Sequence, residues 1–408
     1  MSTGHAYRGV ENPLRGPLAD RTPMSSIRDV AAAAGVSRMT VSNVINGRHH
    51  KASPATVARV LQAIEDLDYM PDAPARSLAG NRSRMIGLLI HHPDETRALL
   101  ENPHDALLLG AVGRSVAAAG FSFIPAVSAD VVSAARRLGS WRIDGLIVYG
   151  SVADEVNDLQ RTHPRPLVFL DNYSRDQNAT IVRTDDGGGG LQAGRHLIGL
   201  GHRVIAYMGP LRAGSGGVVA HRFGGLQRAV QERGTQAAGA QAGERRDGGR
   251  QDGGRHAGGD QATGAPVQLV PIEADHHPGS AARAVEQILS DPSRPTAIVA
   301  SSDVLAAEIL GELLDRGIAV PRDMSVVGFD DMPLARWVRP QLTTIGQDVK
   351  AKAAAAVDMV VRMIDQENVA GAHGALRVQR LPMRLVVRDS TGPAPGTSQP
   401  VTPSPVTS

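Results

Sequence analysis

The chain has 408 residues, 42% apolar and 21% charged, a balance that supports a buried core and excludes a disordered or fibrous polymer. At roughly 100–200 residues per domain, the length accommodates about two to four domains. Cysteine is absent, which excludes disulfide scaffolds, thiolate metal sites and thiol nucleophiles and suits a reducing compartment. No window approaches about 18 uninterrupted apolar residues, and the first twenty residues lack the apolar run of a secretion signal, so a cytoplasmic protein with no membrane partner is expected. The formal net charge is only +2, yet residues 21–60 hold six cations (Arg21, Arg28, Arg38, Arg48, Lys51, Arg59) against Asp29 alone. A basic N-terminal unit on a near-neutral body fits a nucleic-acid reader joined to a larger domain; a solvated basic face is the alternative.

Residues 1–25 lack periodicity and read as a disordered tail. Ser26-Ile-Arg-Asp29 spells a capping box, and Ile27, Val30, Ala31 and Ala34 mark one apolar face. Gly35 suits the left-handed residue that ends a helix, and Ser37 caps a second helix running to about Ile45, with Val41, Val44 and Ile45 inward and Arg38, Met39, Ser42 and Asn43 on another face. A third helix begins at Ser53-Pro54 and places Val57, Val60, Leu61, Ile64 and Leu67 inward. The short segment Asp72–Gly80, with Pro74 in its first turn and a terminal glycine, is too short for a stable isolated helix and is expected to order on a partner.

From Met85, apolar runs (Ile86–Ile90, Leu146–Tyr149, Leu167–Leu170, Val204–Met208, Ala297–Ala300, Ser325–Phe329) alternate with amphipathic stretches such as Asp105–Ala119 and Ala281–Leu289. This predicts an α/β body of parallel sheets covered by helices, enough for two lobes. Ligands of such sheets bind beyond the strands' carboxyl ends, which makes Asp171, Asp303, Asp330 and Asp331 cleft candidates; helix capping is the competing role for each. Residues 234–266 are rich in Gly, Ala, Gln, Arg and Asp and read as a disordered insert, as does the tail after Asp389. Gly187–Gly190 lacks the lysine and spacing of a phosphate loop and reads as a helix start. The adjacent pairs His91-His92 and His276-His277 are not spaced to share one helix face, and no nucleophile–base set stands out, so no metal, cofactor or enzyme activity is expected.

The run Ile27–Gly47, with Ser53-Pro54, Tyr69-Met-Pro71 and Ala75-Arg-Ser-Leu-Ala-Gly80, resembles the LacI/GalR family of bacterial transcription regulators. The resemblance continues through Asp144-Gly-Leu-Ile147, His196–His202, Arg222, Pro321–Asp331 and Pro340–Thr344, covering about residues 26–390. It implies a helix-turn-helix headpiece at 26–71, a hinge at 72–84 and a two-lobed, periplasmic-binding-protein-like core at 85–390 that binds an effector and dimerises. In such proteins the second helix enters the major groove. That assigns base-edge contacts to Arg38, Met39 and Asn43, with Ser37, Thr40, Ser42, Asn46 and His50 positioning phosphates or capping helices. Leu78 is the implied minor-groove wedge of paired hinge helices. The implied effector contacts are Asp171, Arg222, Ser302 and Asp330, which suit a small polar, carbohydrate-like ligand. Two departures stand out: Ser302-Asp303 replaces the common Asn-Asp, and Val218 lies near a serine of some sugar-binding members. The implied partners are a near-palindromic operator duplex, that effector and a second copy of the chain. A sugar-binding protein without regulatory role is the alternative.

Overall fold

The computed structural model describes residues 25–45, 47–69, 82–92, 102–150, 154–163, 165–176, 178–211, 217–247, 266–275, 277, 279–366 and 377–396, with residues 236–247 and 377 by backbone alone. The chain divides into two compact units, Met1–Ser83 and Arg84–Ser408.

In the first unit, helices α1 (Ile27–Ala33), α2 (Arg38–Ile45) and α3 (Pro54–Asp66) enclose a small core of Val30, Ala31, Ala34, Val41, Val44, Val60, Ala63 and Tyr69. The capping box is present: Ser26 Oγ accepts from the Asp29 amide at 3.4 Å, and Asp29 Oδ2 accepts from the Ser26 amide at 2.7 Å. Gly35 takes φ of +64°, which turns the chain sharply from α1 into α2. Leu61 differs from its expected inward place. It is 49% exposed because it sits about 100° around α3 from Val60, while Ala63 fills the core position instead. Residues 70–81, including the expected hinge and Leu78, lie outside the described residues, as does Asn46.

The second unit holds two six-stranded sheets. Its strands are β1 (Met85–His91), β2 (Ser122–Ser128), β3 (Gly145–Tyr149), β4 (Leu167–Leu170), β5 (Thr180–Thr184), β6 (Val204–Gly209), β7 (Gln268–Glu273), β8 (Ala297–Ala300), β9 (Ser325–Asp330), β10 (Thr343–Gly346), β11 (Arg377–Leu381) and β12 (Arg384–Val386). The first lobe has the order β11-β5-β4-β3-β1-β2, all parallel; the second has β12-β10-β9-β8-β6-β7, parallel except for the β10–β12 pair. Helices α4 (Pro103–Ala118), α5 (Val131–Ser140) and α6 (Glu155–Thr162) cover the first sheet, joined by α12 (Val349–Gln366). The second sheet carries α7 (Asp186–Gly199) and α8 (Val218–Asp247) on one face, and α9 (Ser280–Ser290) and α10 (Asp303–Asp315) on the other; α11 (Leu334–Trp337) is one short turn. Each sheet is covered on both faces, so its central strands, such as β1, β3, β4, β8 and β9, are near-continuous apolar runs. The chain passes between lobes three times, after β5, β10 and β11. Among the described residues no helix is long and apolar enough to cross a membrane.

Two expected disordered segments are ordered in part. Residues 234–247 continue α8, since Gln, Ala, Arg and Glu are adequate helix formers and extending an existing helix needs no new nucleus. Residues 390–396 pack on the second lobe through polar contacts: Ser390 Oγ donates to the Val326 carbonyl at 2.6 Å, and the Ala394 amide donates to the Leu200 carbonyl at 2.9 Å. The rest of both segments lies outside the described residues.

The Gly187–Gly190 run begins α7, with Asp185 Oδ1 accepting from the Gly188 amide at 3.2 Å. Its glycines let α7 and α8 touch backbone to backbone. A Cβ on Gly190 would lie 1.9 Å from the Arg222 carbonyl oxygen, and one on Gly225 would lie 2.1 Å from that of Gly187. Gly225→Ala is therefore expected to cost about 1–3 kcal/mol or more in urea unfolding. Gly224→Ala, which meets nothing within 4 Å, should be neutral or stabilise by up to about 1 kcal/mol; equal losses at the two sites would refute this packing.

Candidate functional site

The first unit presents one face of α2 to solvent. Ser37 Oγ accepts from the Thr40 amide at 3.1 Å and lies 3.0 Å from Thr40 Oγ1, so the two hydroxyls fix the start of the helix. Arg38 and His50 are exposed and Met39 is 70% exposed, while Thr40, Ser42 and Asn43 are half-buried. An apolar side chain left in water beside a guanidinium, on a helix held by a packed core, is suited to a surface that offers both hydrogen-bond acceptors and methyl groups, as the major groove does.

In the second unit, the polar groups at the strand ends meet between the lobes. Arg222, on the inward face of α8, is almost wholly buried. Its Nε donates to Asp186 Oδ1 at 2.8 Å, its Nη2 to Asp330 Oδ1 at 3.1 Å, and its Nη1 to the Ser301 carbonyl. The guanidinium also lies over the Phe329 ring, 4.5 Å from its centroid. Burial works against the charge, but Asp330 and Asp186 outweigh it and hold the group further above its ordinary pKa. Asp330, at the end of β9, also accepts from Gln347 Nε2 at 2.7 Å. Gln347 Oε1 in turn accepts from Lys352 Nζ at 2.8 Å, and Lys352 Nζ pairs with Asp171 beyond β4. At the other end, Tyr173 donates its hydroxyl to Asp186 Oδ2, which also accepts from Thr184 Oγ1 at 3.0 Å. Burial and the Asp186 carboxylate push the Tyr173 hydroxyl well above its ordinary range, so it remains a donor.

One continuous polar chain thus links the lobes: Tyr173, Lys352 and Asp171 belong to the first, Arg222 and Asp330 to the second, and Asp186 and Gln347 lie at two of the crossings. Asp171 adopts φ of +52°, and its Oδ1 is buried without a hydrogen-bond partner. Such an orphaned acceptor is costly unless a ligand or water donates to it. Tyr149 closes the same region. Its hydroxyl lies 3.3 Å from His104 Nδ1, and burial together with Asp105, Asp171 and Asp330 raises its pKa well above the ordinary value.

The structure therefore gathers Asp171, Arg222 and Asp330, named from the sequence. Ser302 stands beside them, but its hydroxyl accepts from the Leu305 amide at 3.2 Å and caps α10. Asp303 is buried inside the second lobe, accepting from the Met332 amide at 2.7 Å and from Thr344. Burial and repulsion from Asp330 push its carboxyl well above the ordinary range. Asp331 pairs with Arg388. Sequence reasoning missed Asp186, Gln347, Lys352 and Tyr173. Lys352 left a signal, because it falls on the buried stripe of α12 with Ala356 and Val360, where an unpaired charge would be prohibitive. Asp186 was masked by its neighbour Asp185, the helix cap.

Comparison with known proteins matches this architecture. The profile described as bacterial regulatory proteins, lacI family, matches residues 26–72; those for the periplasmic binding proteins and sugar binding domain of the LacI family, and for a periplasmic binding protein-like domain, match 124–243 and 195–391. The HTH-type transcriptional repressor PurR of Edwardsiella ictaluri (strain 93-146) is 33% identical over 349 residues, spanning 84% of this chain and 91% of PurR. The chain belongs to the LacI family. Among solved structures, the lac repressor dimer bound to operator and the anti-inducer ONPF aligns with a TM-score of 0.70 and 25% identity, covering 91% of this chain and 100% of that one. The CelR–cellobiose complex aligns with a TM-score of 0.58 and 25% identity, covering 90% and 99%.

Replacing Arg222 by leucine would leave Asp186 and Asp330 buried without their cation. The expected loss is about 3–5 kcal/mol, read in thermal or urea unfolding of the second unit. Arg195→Leu, which removes an exposed 2.8 Å pair with Glu232, should cost at most about 1 kcal/mol. Similar losses for the two variants would contradict the buried network.

Proposed function

We propose that this LacI-family chain is a DNA-binding transcriptional repressor, working as a homodimer in the cytoplasm, whose operator affinity is set by a small polar effector held between the lobes of its core. The observation that carries this reading is the presence in one chain of a capped helix-turn-helix with an exposed Arg38–Met39 face and a two-lobed unit whose junction keeps an unsatisfied buried acceptor at Asp171. In this reading residues 26–71 read the operator, 72–84 form the hinge and 85–390 bind effector and partner copy. Arg38 offers paired donors to a guanine edge, Met39 an apolar contact to a thymine methyl, and Asn43 a third base contact. Ser37, Thr40, Ser42, Asn46 and His50 set the helix on the phosphates, and Leu78 wedges the minor groove.

The cleft network contains three carboxylates (Asp171, Asp186, Asp330) against Lys352 and Arg222, so it favours a ligand that donates hydrogen bonds. A polyhydroxylated, carbohydrate-like molecule meets that demand, with Asp171 Oδ1 as its first acceptor. Ligand binding that draws Asp171 and Asp330 together exchanges polar contacts between two separately packed lobes, which is how an effector shifts the balance between DNA-binding and released forms.

Selection from random duplexes at fixed, near-physiological salt tests the reader, and an enriched near-palindrome with a flexible central step is expected. Enrichment of no sequence, with weak salt-sensitive binding alone, would refute it. On the selected site Leu78→Ala should weaken specific binding far more than nonspecific binding; equal losses would remove the wedge assignment. Screening neutral saccharides by calorimetry tests the cleft: a ligand found there should bind about tenfold or more weakly to Asp171→Asn. Unchanged affinity in that variant would exclude Asp171 from the site.

A further inference from the structure

A second cavity, of about 420 Å³, is lined in part by Tyr173, and its chemistry is the reverse of the cleft's. The first lobe contributes Arg183 from β5 and Arg380 from β11; the second contributes Arg228 and His221 from α8. Among the described residues neither Arg183 nor Arg228 has an ion-pair partner, and Arg380 reaches only Asp185, at the long distance of 3.9 Å. The nearby Glu232 is engaged with Arg195. Three guanidiniums therefore surround one carboxylate. A Cβ on Gly187 would lie 3.0 Å from Arg228 Nη2, so this cation rests against the first turn of α7, whose cap is Asp185. Like charges gathered in a concave site from two lobes repel one another, and a multivalent anion removes that repulsion while accepting from several donors at once.

The cavity is joined mechanically to the cleft. The Tyr173 ring stacks on His221 with centroids 3.6 Å apart, and the Arg183 guanidinium lies 4.4 Å from the same ring. The hydroxyl of that tyrosine ends the network by donating to Asp186, the partner of Arg222. An anion gripping Arg183 and Arg380 on one side and Arg228 on the other would tie the lobes together at the β5–β11 edge and hold Tyr173 in place.

We propose that this arginine-lined cavity is a second effector site, for a small phosphorylated or otherwise polyanionic molecule, and that its occupancy fixes the two lobes relative to each other. Binding follows from the cavity alone; its effect on operator affinity rests on the repressor reading above.

The test is calorimetric titration of the full chain with pyrophosphate, and separately with inorganic phosphate, at constant ionic strength. Saturable binding of one pyrophosphate per chain is expected, tighter than that of inorganic phosphate, which spans fewer arginines. Arg228→Gln and Arg183→Gln should each weaken it about tenfold or more, with Arg228→Lys intermediate and Arg362→Gln, an exposed arginine of α12 paired with Asp358, without effect. Circular dichroism melts of the same variants show that they remain folded, and recovery in Arg228→Lys separates a lost contact from a lost fold. No saturable binding, or binding unchanged in the Arg183→Gln/Arg228→Gln double variant, overturns the site. Saturating pyrophosphate should change affinity for the selected operator about fivefold or more, and not in Arg228→Gln. An unchanged operator affinity with intact pyrophosphate binding overturns the lobe-fixing role and leaves the site. A failed operator selection overturns the repressor reading while calorimetry still decides the cavity.

Discussion

Arg222 sits between two buried carboxylates, and its position constrains everything around the lobe junction. A guanidinium removed from water is tolerable only when its donors are matched, and here they reach Asp186, Asp330 and the Ser301 carbonyl. That geometry requires α7 and α8 to approach until their backbones touch, because Asp186 begins one helix and Arg222 lies near the start of the other. The close glycine contacts of Gly190 and Gly225 and the buried ion pairs are one constraint seen from two sides. A side chain at either glycine would separate the helices and withdraw Arg222 from Asp186.

The same arrangement explains why the lobes respond to ligands. Each sheet has its own apolar clusters on both faces, so each lobe is a packed body. What joins them at the cleft is polar: Tyr173 to Asp186, and Gln347 bridging Asp330 to Lys352. Polar links are directional and exchangeable, whereas an apolar core shared between lobes would resist opening. Tyr173 belongs to both the acid-rich cleft network, through its hydroxyl, and the arginine-rich cavity, through its ring.

Much of the fold was legible because its signals are local. The capping box at Ser26, the left-handed glycine at Gly35 and the Ser53-Pro54 start mark helices by chemistry that acts within one turn. Central strands announced themselves as apolar runs. The edge strands β2 and β7 did not, since each carries a proline in its middle, Pro125 and Pro271, which an edge position tolerates because one side of the strand makes no ladder bonds. Residues 390–396 escaped notice for a related reason: they pack through backbone and hydroxyl hydrogen bonds to β9 and its neighbours, and composition does not record such bonds.

The amino-acid sequence by itself determined the helical reader, the alternation that makes two parallel lobes, and the strand-end aspartates, because each is written within a few neighbouring residues. The membership of the site was decided only by tertiary structure. Whether a strand-end carboxylate keeps an unpartnered oxygen, as Asp171 does, or closes an internal bond, as Asp303 does, depends on what distant segments bring to it. Lys352, Gln347, Asp186 and Tyr173 became one network because the chain crossings after β5 and β10 meet at the same junction. The two arginine-bearing strands and α8 enclose a cavity for the same reason, since the charge of a site is summed in space and not along the chain.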